Sequence, residues 1–199
     1  MERHTITFIL ASASPRRRYL LTEIGATFEI VPSDVEEIFR EDETPEEHVL
    51  RLSREKAESV ARKRPGNWVL GADTIVFIDG DVLGKPETKD DARTMLCRLS
   101  GNDHIVLTGF ALVTSGKGVV ANELVRSTVT FREIPDDEIE WYIETDEPYD
   151  KAGAYAVQGI AGMFIRSIKG SYSNVIGLPL CEVTDALKKV GIIAYGNGK

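Results

Sequence analysis

The amino-acid sequence predicts a mixed α/β protein, because strand-like and helix-like segments alternate along its 199 residues. Two of the strand-like segments are long and consecutive, at about 105–114 and 119–131, with a glycine-containing turn between them. Such a hairpin is antiparallel, so the pattern departs from the regular strand–helix–strand repeat of a doubly wound parallel sheet. We therefore expect a mixed α/β fold with long hairpins.

The first half of the chain begins with a predicted buried strand at 6–11 and a helix that starts at Pro15. Ser14 suits the N-cap position, and proline suits the first helical position. A second helix opens with a capping box formed by Thr44 and Glu47. The elements predicted to follow the first helix are a strand at 27–31, the capped helix at about 44–63, and strands at 68–78 and 82–83, the last two joined by a turn.

The second half is predicted to contain three helices and, besides the two long strands, one pair of short strands. The helices lie at about 90–99, 136–144 and 180–190. The short strands, 155–157 and 163–165, are expected to pair across a connection that contains glycine.

Composition restricts the functional classes. The net charge of −8 disfavours a broad nucleic-acid surface, but allows a local basic pocket for a nucleotide or phosphate ester. No apolar run approaches the roughly 20 residues that cross a membrane, and the N-terminus lacks the layout of a signal peptide, so we expect a cytoplasmic protein. Cys97 and Cys181 are predicted to be buried free thiols.

The basic cluster Arg16-Arg17-Arg18 is unusual because it occupies the first turn of the first helix. A helix N-terminus carries partial positive charge and favours acids, so three cations there are locally unfavourable. A bound phosphate would compensate, since it accepts hydrogen bonds from the free N–H groups and pairs with arginine. The alternative is a solvated basic turn.

Asp73 and Lys56 are charged residues in apolar surroundings. Asp73 lies within the apolar strand 68–78, where a carboxylate must be paired, hydrogen-bonded or metal-bound. It could activate a water molecule, or it could serve as a structural residue that caps a loop. Lys56 shares a helical stripe with Val49, Leu52 and Val60, so its ammonium could enter a pocket or extend to solvent.

Weaker signals lie in three loops. Lys85 follows a glycine and precedes a proline, and a surface position is the alternative for it. Glu36 belongs to an acidic loop that could bind a divalent cation or simply be solvated. Gln158 precedes Gly159 and could contact a base edge, or the glycine could mark a tight turn. The histidines have no metal-ligand spacing, and there is neither a Walker-type loop nor a nucleophile elbow.

In combination, these segments resemble the Maf family, the septum-formation-inhibitor-like nucleotide pyrophosphatases. The resemblance covers nearly the whole chain in order, and the combination of its motifs is highly specific. The matching stretches are Leu10-Ala11-Ser12-Ala13-Ser14-Pro15-Arg16-Arg17, Val35-Glu36-Glu37, the helix of Lys56, Gly71-Ala72-Asp73-Thr74, Gly84-Lys85-Pro86, Leu99-Ser100-Gly101, His104, Asp150-Lys151-Ala152-Gly153-Ala154-Tyr155, Gln158-Gly159 and Asn174-Val175-Ile176-Gly177-Leu178-Pro179.

The resemblance implies a hydrolase that converts a nucleoside triphosphate to the monophosphate and pyrophosphate with a divalent cation, Mg²⁺ or Mn²⁺. It implies one domain over residues 1–199 with the α/β fold of inosine-triphosphate pyrophosphatases. That fold is an elongated, two-lobed molecule with a long central mixed sheet, flanking helices and a cleft. A homodimer that binds neither nucleic acid nor membrane is expected. The implied role is nucleotide-pool house-cleaning, with a possible link to cell division.

The resemblance also assigns roles to individual residues. Asp73 is similar to the general base that activates water, and Glu36 with Asp73 to the metal ligands. The residues similar to the family's triphosphate-binding set are Ser12, Arg16, Arg17, Lys56 and Lys85. Those that match the branch acting on dTTP and UTP are Arg16, Thr74 and Gln158. Arg18 and Asp34 fall at positions that the resemblance leaves free to vary.

Two alternatives remain at this stage. One is a nucleotide-sensing regulator of septum formation without essential catalysis, which would need the basic residues but not an aspartate inside a strand. The other is an inosine- or xanthosine-triphosphate hydrolase on the same scaffold. A comparison of purine and pyrimidine triphosphates as substrates separates the second alternative from the main hypothesis.

Overall fold

The structure, a computed structural model, describes residues 7–194 of the chain. The strands in this range are β1 Phe8–Leu10, β2 Phe28–Ile30, β3 Trp68–Ile78, β4 Asp81–Leu83, β5 Asp103–Thr114, β6 Gly118–Phe131 and β7 Ile165–Lys169. The α-helices are α1 Pro15–Glu23, α2 Pro45–Lys63, α3 Lys89–Leu99, α4 Asp136–Ile143, α5 Tyr172–Ile176 and α6 Leu180–Lys189. Three 3₁₀ segments, Pro148–Asp150, Ala152–Ala154 and Ile160–Phe164, lie between α4 and β7.

The strands form one mixed sheet in the order β2-β1-β3-β5-β6-β7, with β4 paired to β3. Strand β1 is parallel to β2 and β3, whereas β4 is antiparallel to β3 and β7 is antiparallel to β6. This confirms the predicted α/β class with a central mixed sheet. None of the helices between residues 7 and 194 combines the length and apolar character that crossing a bilayer requires.

The chain divides into two compact units. Within the described residues, the first unit comprises 7–73, 108–124 and 177–194, and the second comprises 74–107 and 125–176. Strands β3, β5 and β6 each contribute residues to both units. The single domain over 1–199, the elongated shape and the cleft stay predictions.

The core of the first unit lies where α2 packs on the sheet. Ala57 and Val60 of α2 contact Ile9 of β1 and Val69 of β3, and all four side chains are buried. The N-terminus of α2 has the predicted capping box: the Thr44 hydroxyl accepts from the backbone of Glu47, whose carboxylate accepts from the backbone of Thr44. Local capping and an apolar stripe thus place α2 against the sheet.

The core of the second unit is rich in aromatic rings. Phe131, Tyr142, Tyr155 and Phe164 are all buried, and edge-to-face contacts join Phe131 to Tyr155 and Tyr142 to Phe164. His104 packs on Phe131 and Tyr155, and its Nε2 lies 2.7 Å from the Tyr155 hydroxyl.

Two sequence-based expectations were wrong, and one helix was missed. The short strand pair at 155–157 and 163–165 does not form; Ile160–Phe164 is a 3₁₀ helix, and β7 pairs instead with β6. Helix α5 was not predicted. The thiols of Cys97 and Cys181 are exposed. Cys97 follows the buried Leu96 by one position and therefore faces about 100° away from the core side of α3. The predicted first strand began at residue 6, which lies outside the described residues.

Candidate active site

A buried ion pair joins α2 to β3. The ammonium of Lys56 lies 2.6 Å from Asp73 Oδ1 and 2.6 Å from Glu37 Oε1. The side chains of Lys56 and Asp73 are only 6% and 7% exposed, whereas that of Glu37 is 59% exposed. Lys56 therefore points inward rather than extending to solvent, and Asp73 has the partner that a buried carboxylate requires.

Two glycines allow α2 to approach the sheet closely enough for this contact. A Cβ atom on Gly71 of β3 would lie 2.3 Å from the carbonyl oxygen of Ser53, and one on Gly109 of β5 would lie 2.3 Å from that of Val49. Neither glycine has a positive φ angle, so the requirement is for space rather than for backbone freedom. Any side chain at either position would move α2, and Lys56 with it, away from β3.

Arg17 fixes the first turn of α1 against the strand that carries Asp73. Its Nη1 donates to the carbonyl of Ala72 at 2.8 Å and to the Ser12 hydroxyl at 3.2 Å, and its Nε donates to the carbonyl of Gly177 at 2.9 Å. Burial lowers the pKa of the Arg17 guanidinium, while the negative charges of Asp73 and Glu37 act in the opposite direction. Arg17 therefore contributes a buried positive charge and a set of hydrogen bonds that hold three segments together.

The beginning of α1 has the predicted cap. The Ser14 hydroxyl accepts from the backbone N–H of Arg17 at 3.4 Å, and the Ser12 hydroxyl accepts from that of Ser14 at 3.2 Å. Of the arginines on either side of buried Arg17, Arg16 is half-buried and Arg18 is exposed. The three arginines are thus not equivalent, because only Arg17 points into the protein.

The acidic loop after β2 is attached to α2 by Asp34 and Glu37. Asp34 accepts hydrogen bonds from the Ser59 hydroxyl at 2.8 Å and from Lys63 Nζ at 2.9 Å, which lower its pKa to about 2. Together with the Glu37–Lys56 contact, these bonds attach the loop along one face of α2. Glu36 itself is exposed. The role that the resemblance gives to Glu36 stays a prediction, and the structure places its neighbour Glu37 on the buried lysine.

Three of the predicted residues belong to the second unit. Thr74 directly follows Asp73 on β3 and is half-buried, while Lys85 and Gln158 are exposed on loops. The Lys85 loop is held by a hydrogen bond from the Gly153 N–H to the Gly84 carbonyl at 3.0 Å. The structure therefore brings Ser12, Arg17, Lys56 and Asp73 together in the first unit, whereas Thr74, Lys85 and Gln158 belong to the second.

Between residues 7 and 194, no group of three or more histidine, cysteine, aspartate or glutamate side chains is arranged to hold a metal ion. Asp73 and Glu37 supply the carboxylates that contact Lys56, and Glu36 precedes Glu37 in the sequence. The pairing of Glu36 with Asp73 as metal ligands stays a prediction.

The fold and these contacts define a mixed α/β protein with a buried lysine–aspartate pair beside a basic helix N-terminus. The chain belongs to the Maf family, because the family model described as Maf-like protein matches residues 7–190. This confirms the resemblance seen in the sequence motifs.

Curated relatives and solved structures give further similarities. The chain is 56% identical to the dTTP/UTP pyrophosphatase of Syntrophus aciditrophicus (strain SB), over 96% of this chain and 93% of that protein. It is 54% identical to the dTTP/UTP pyrophosphatase of Geotalea uraniireducens (strain Rf4), over 93% and 95%. A HAM1 protein from Coxiella burnetii aligns at a TM-score of 0.46 and 16% identity, over 66% of this chain and 75% of that one.

Proposed function

We propose that this chain is a nucleoside triphosphate pyrophosphatase that hydrolyses dTTP and UTP to the nucleoside monophosphate and pyrophosphate. Its membership of the Maf family and the names of the relatives described above support this proposal. The observation that carries it is the buried Asp73 beside Lys56 and Arg17, because a carboxylate held among cations is suited to activating water next to a phosphate.

In this proposal, Asp73 acts as the general base. Lys56 binds Oδ1, which orients the carboxylate and leaves Oδ2 to accept a hydrogen bond from a water molecule. The water oxygen attacks the α-phosphorus and its proton passes to Asp73. The bond from the α-phosphorus to the bridging oxygen breaks, and pyrophosphate leaves with that oxygen and its electron pair. No covalent intermediate is needed, in agreement with the missing nucleophile motif.

The basic residues neutralise and position the triphosphate. An ammonium has three N–H donors, and Lys56 uses two on Asp73 and Glu37, which leaves one for a phosphate oxygen. Arg16, which is half-buried, and Lys85, which is exposed, are proposed to contact phosphate oxygens directly. Arg17 and Ser12 hold the first turn of α1 in place, since the Arg17 Nε and Nη1 atoms are already engaged by backbone carbonyls and the Ser12 hydroxyl.

The carboxylates fit a hard divalent cation such as Mg²⁺ or Mn²⁺, because these ions prefer oxygen ligands. Asp73 would hold it with Glu36 or Glu37, and the small number of protein ligands agrees with Mg²⁺ sites that are completed by water and substrate phosphates. A bound cation would neutralise phosphate charge and polarise the phosphoryl oxygens.

The first test is pyrophosphate release from dTTP, UTP, CTP, GTP and ITP with Mg²⁺ or Mn²⁺. Release chiefly from dTTP and UTP is expected. Preference for ITP would support the inosine-triphosphate hydrolase instead, and nucleotide binding without release would support a regulator.

Base preference is proposed to depend on Gln158, with Thr74 and Arg16. Gln158→Ala should reduce the preference for dTTP and UTP over GTP by about two- to tenfold, because an amide hydrogen bond to a base is worth roughly 0.5–1.5 kcal/mol. The ratios of kcat/KM among the five nucleotides measure this effect. If the ranking and the ratios are unchanged, Gln158 does not contact the base.

A further inference from the structure

The loop that carries Gln158 is held by the carboxylate of Glu147. Glu147 Oε2 accepts a hydrogen bond from the Ile160 N–H at 2.8 Å, and Oε1 accepts one from the Ala161 N–H at 3.0 Å. These two N–H groups open the 3₁₀ helix Ile160–Phe164, which begins two residues after Gln158. Each carboxylate oxygen thus binds one of two consecutive backbone groups.

Glu147 is itself fixed from the opposite side. The hydroxyl of Tyr142, a fully buried residue of α4, donates to Glu147 Oε1 at 3.0 Å. Burial, together with the nearby charge of Glu147, raises the pKa of Tyr142, so the phenol remains protonated and able to donate. Lys151 Nζ also donates to the Glu147 carbonyl at 2.7 Å. The carboxylate is therefore a rigid connection between a buried helix residue and the loop.

Gly159 shows how closely the loop approaches this carboxylate. A Cβ atom on Gly159 would lie 2.4 Å from Glu147 Oε2. The φ angle of Gly159 is 175°, an extended conformation that any residue adopts. A side chain at position 159 would therefore displace the Glu147 carboxylate from its hydrogen bonds, although the backbone conformation itself does not demand glycine.

We infer that Glu147 is a positioning residue for base preference, since it sets the place of the loop from which Gln158 extends. The inference rests on the proposed function and on the role proposed there for Gln158. Gln158 is exposed on this loop, and an amide can discriminate between bases only if its position is fixed to within about 0.5 Å. A residue that merely stabilised the fold would affect all nucleotides equally.

The first experiment compares Glu147→Gln with the wild type and with Asp146→Asn, a matched amide substitution at the exposed neighbouring position. Glutamine would place an NH₂ group against one of the two backbone N–H groups and lose that hydrogen bond. The ratio of kcat/KM for dTTP over GTP should fall roughly tenfold, with KM for dTTP rising more than kcat falls. Asp146→Asn should retain the wild-type ratio. An unchanged ratio in Glu147→Gln, or an equal loss of kcat for every nucleotide, would overturn the inference.

The second experiment is a double-mutant cycle with Gly159→Ala and Glu147→Ala. Alanine at position 159 should reduce base preference in the wild type because its Cβ atom collides with the carboxylate. In the Glu147→Ala background the same change should cause no further loss, so the two effects should be strongly non-additive. Additive effects would show that the loop is not positioned by this contact.

Two further measurements cover the cases in which Glu147→Gln does not fold or turnover cannot be compared. If Glu147→Gln does not fold, Tyr142→Phe removes only the hydroxyl that fixes the carboxylate and should lower the dTTP preference about two- to threefold, whereas no change would contradict the inference. The ratio of Kd values for dTTP and GTP, measured by calorimetry, reports base preference independently of turnover. Failure of the wild type to release pyrophosphate would defeat the proposed function, whereas an unchanged Kd ratio in Glu147→Gln would defeat this inference alone.

Discussion

Lys56 and Asp73 are each buried, and each depends on the other for compensation of its charge. Removing one member of such a pair leaves an isolated buried charge, which is more costly than replacing both. The pair therefore links the stability of the first unit to the geometry of the proposed active site.

We expect Lys56→Met to lower the free energy of unfolding by roughly 3–5 kcal/mol, because Asp73 loses its buried partner. The double variant Lys56→Met with Asp73→Asn should recover much of this loss. Urea unfolding measures both effects. Lys63→Met is the matched control on the same helix, since its pair with Asp34 is exposed, and it should have a much smaller effect. Equal losses at the two lysines would contradict the account.

His104 is predicted to make stability depend on pH. Burial lowers its pKa to about 4 from an ordinary 6.5. Below pH 6.5 the unfolded chain binds a proton at this residue that the folded protein does not, so stability falls as pH decreases from 6.5 towards 4 and is unaffected above 6.5. Between pH 7.5 and pH 5 the loss from His104 should be about 2 kcal/mol.

Urea unfolding of the wild type and of His104→Gln at pH 7.5 and pH 5 tests this prediction. The variant retains a polar group for the Tyr155 hydroxyl but cannot titrate in this range, so its stability should decrease less between the two pH values. The same decrease in both proteins would show that His104 does not carry the effect.

At the scale of elements, the approach of α2 to β3 determines the site. Gly71→Ala should destabilise the protein by roughly 1–3 kcal/mol and lower activity, because the new Cβ would collide with the carbonyl of Ser53 and displace α2. Gly116→Ala is the matched control, since no atom lies within 4 Å of its Cβ position and its φ angle is not positive. Thermal unfolding and turnover should separate the two variants, and similar behaviour would refute the packing argument.

Elements with strong local signals were predicted well. The bounds of β3 are those expected from its apolar run, and α2 begins at the expected capping box. Strand β7 was missed because only Ile165 and Ile168 of its five residues are apolar and it is stabilised by pairing with the distant β6. Ala154, in the 3₁₀ segment Ala152–Ala154, adopts a positive φ angle of 61°. No sequence pattern predicts this conformation for alanine.

The candidate site was predicted only in part, because its contacts depend on how distant segments pack. Lys56 and Asp73 were recognised individually, but whether Lys56 pairs or extends to solvent depends on the α2–β3 approach, which is a tertiary property. Glu37 could not be distinguished from Glu36, because an irregular loop has no periodicity to show which side chain faces the helix. Glu147 gave no signal at all, since its role comes from contacts with backbone groups thirteen and fourteen residues away.

At the scale of the whole molecule, a net charge of −8 coexists with a local concentration of cations. Buried Lys56 and Arg17 and the half-buried Arg16 are all in the first unit, whereas Lys85 and Gln158 belong to the second. The residues named in the proposed function are thus drawn from both units. The homodimer and the place of the protein in the cell stay predictions.

The most direct test of the account is pyrophosphate release from dTTP and UTP by the wild type, Asp73→Asn and Asp79→Asn. Asp79 is an exposed aspartate in the turn after the same strand, with a positive φ angle that asparagine tolerates, so its substitution is a matched control. We predict that Asp73→Asn lowers kcat by about 10²–10⁴-fold while calorimetry shows dTTP binding retained, and that Asp79→Asn resembles the wild type. Wild-type turnover in Asp73→Asn would contradict the account and make Asp73 a structural residue.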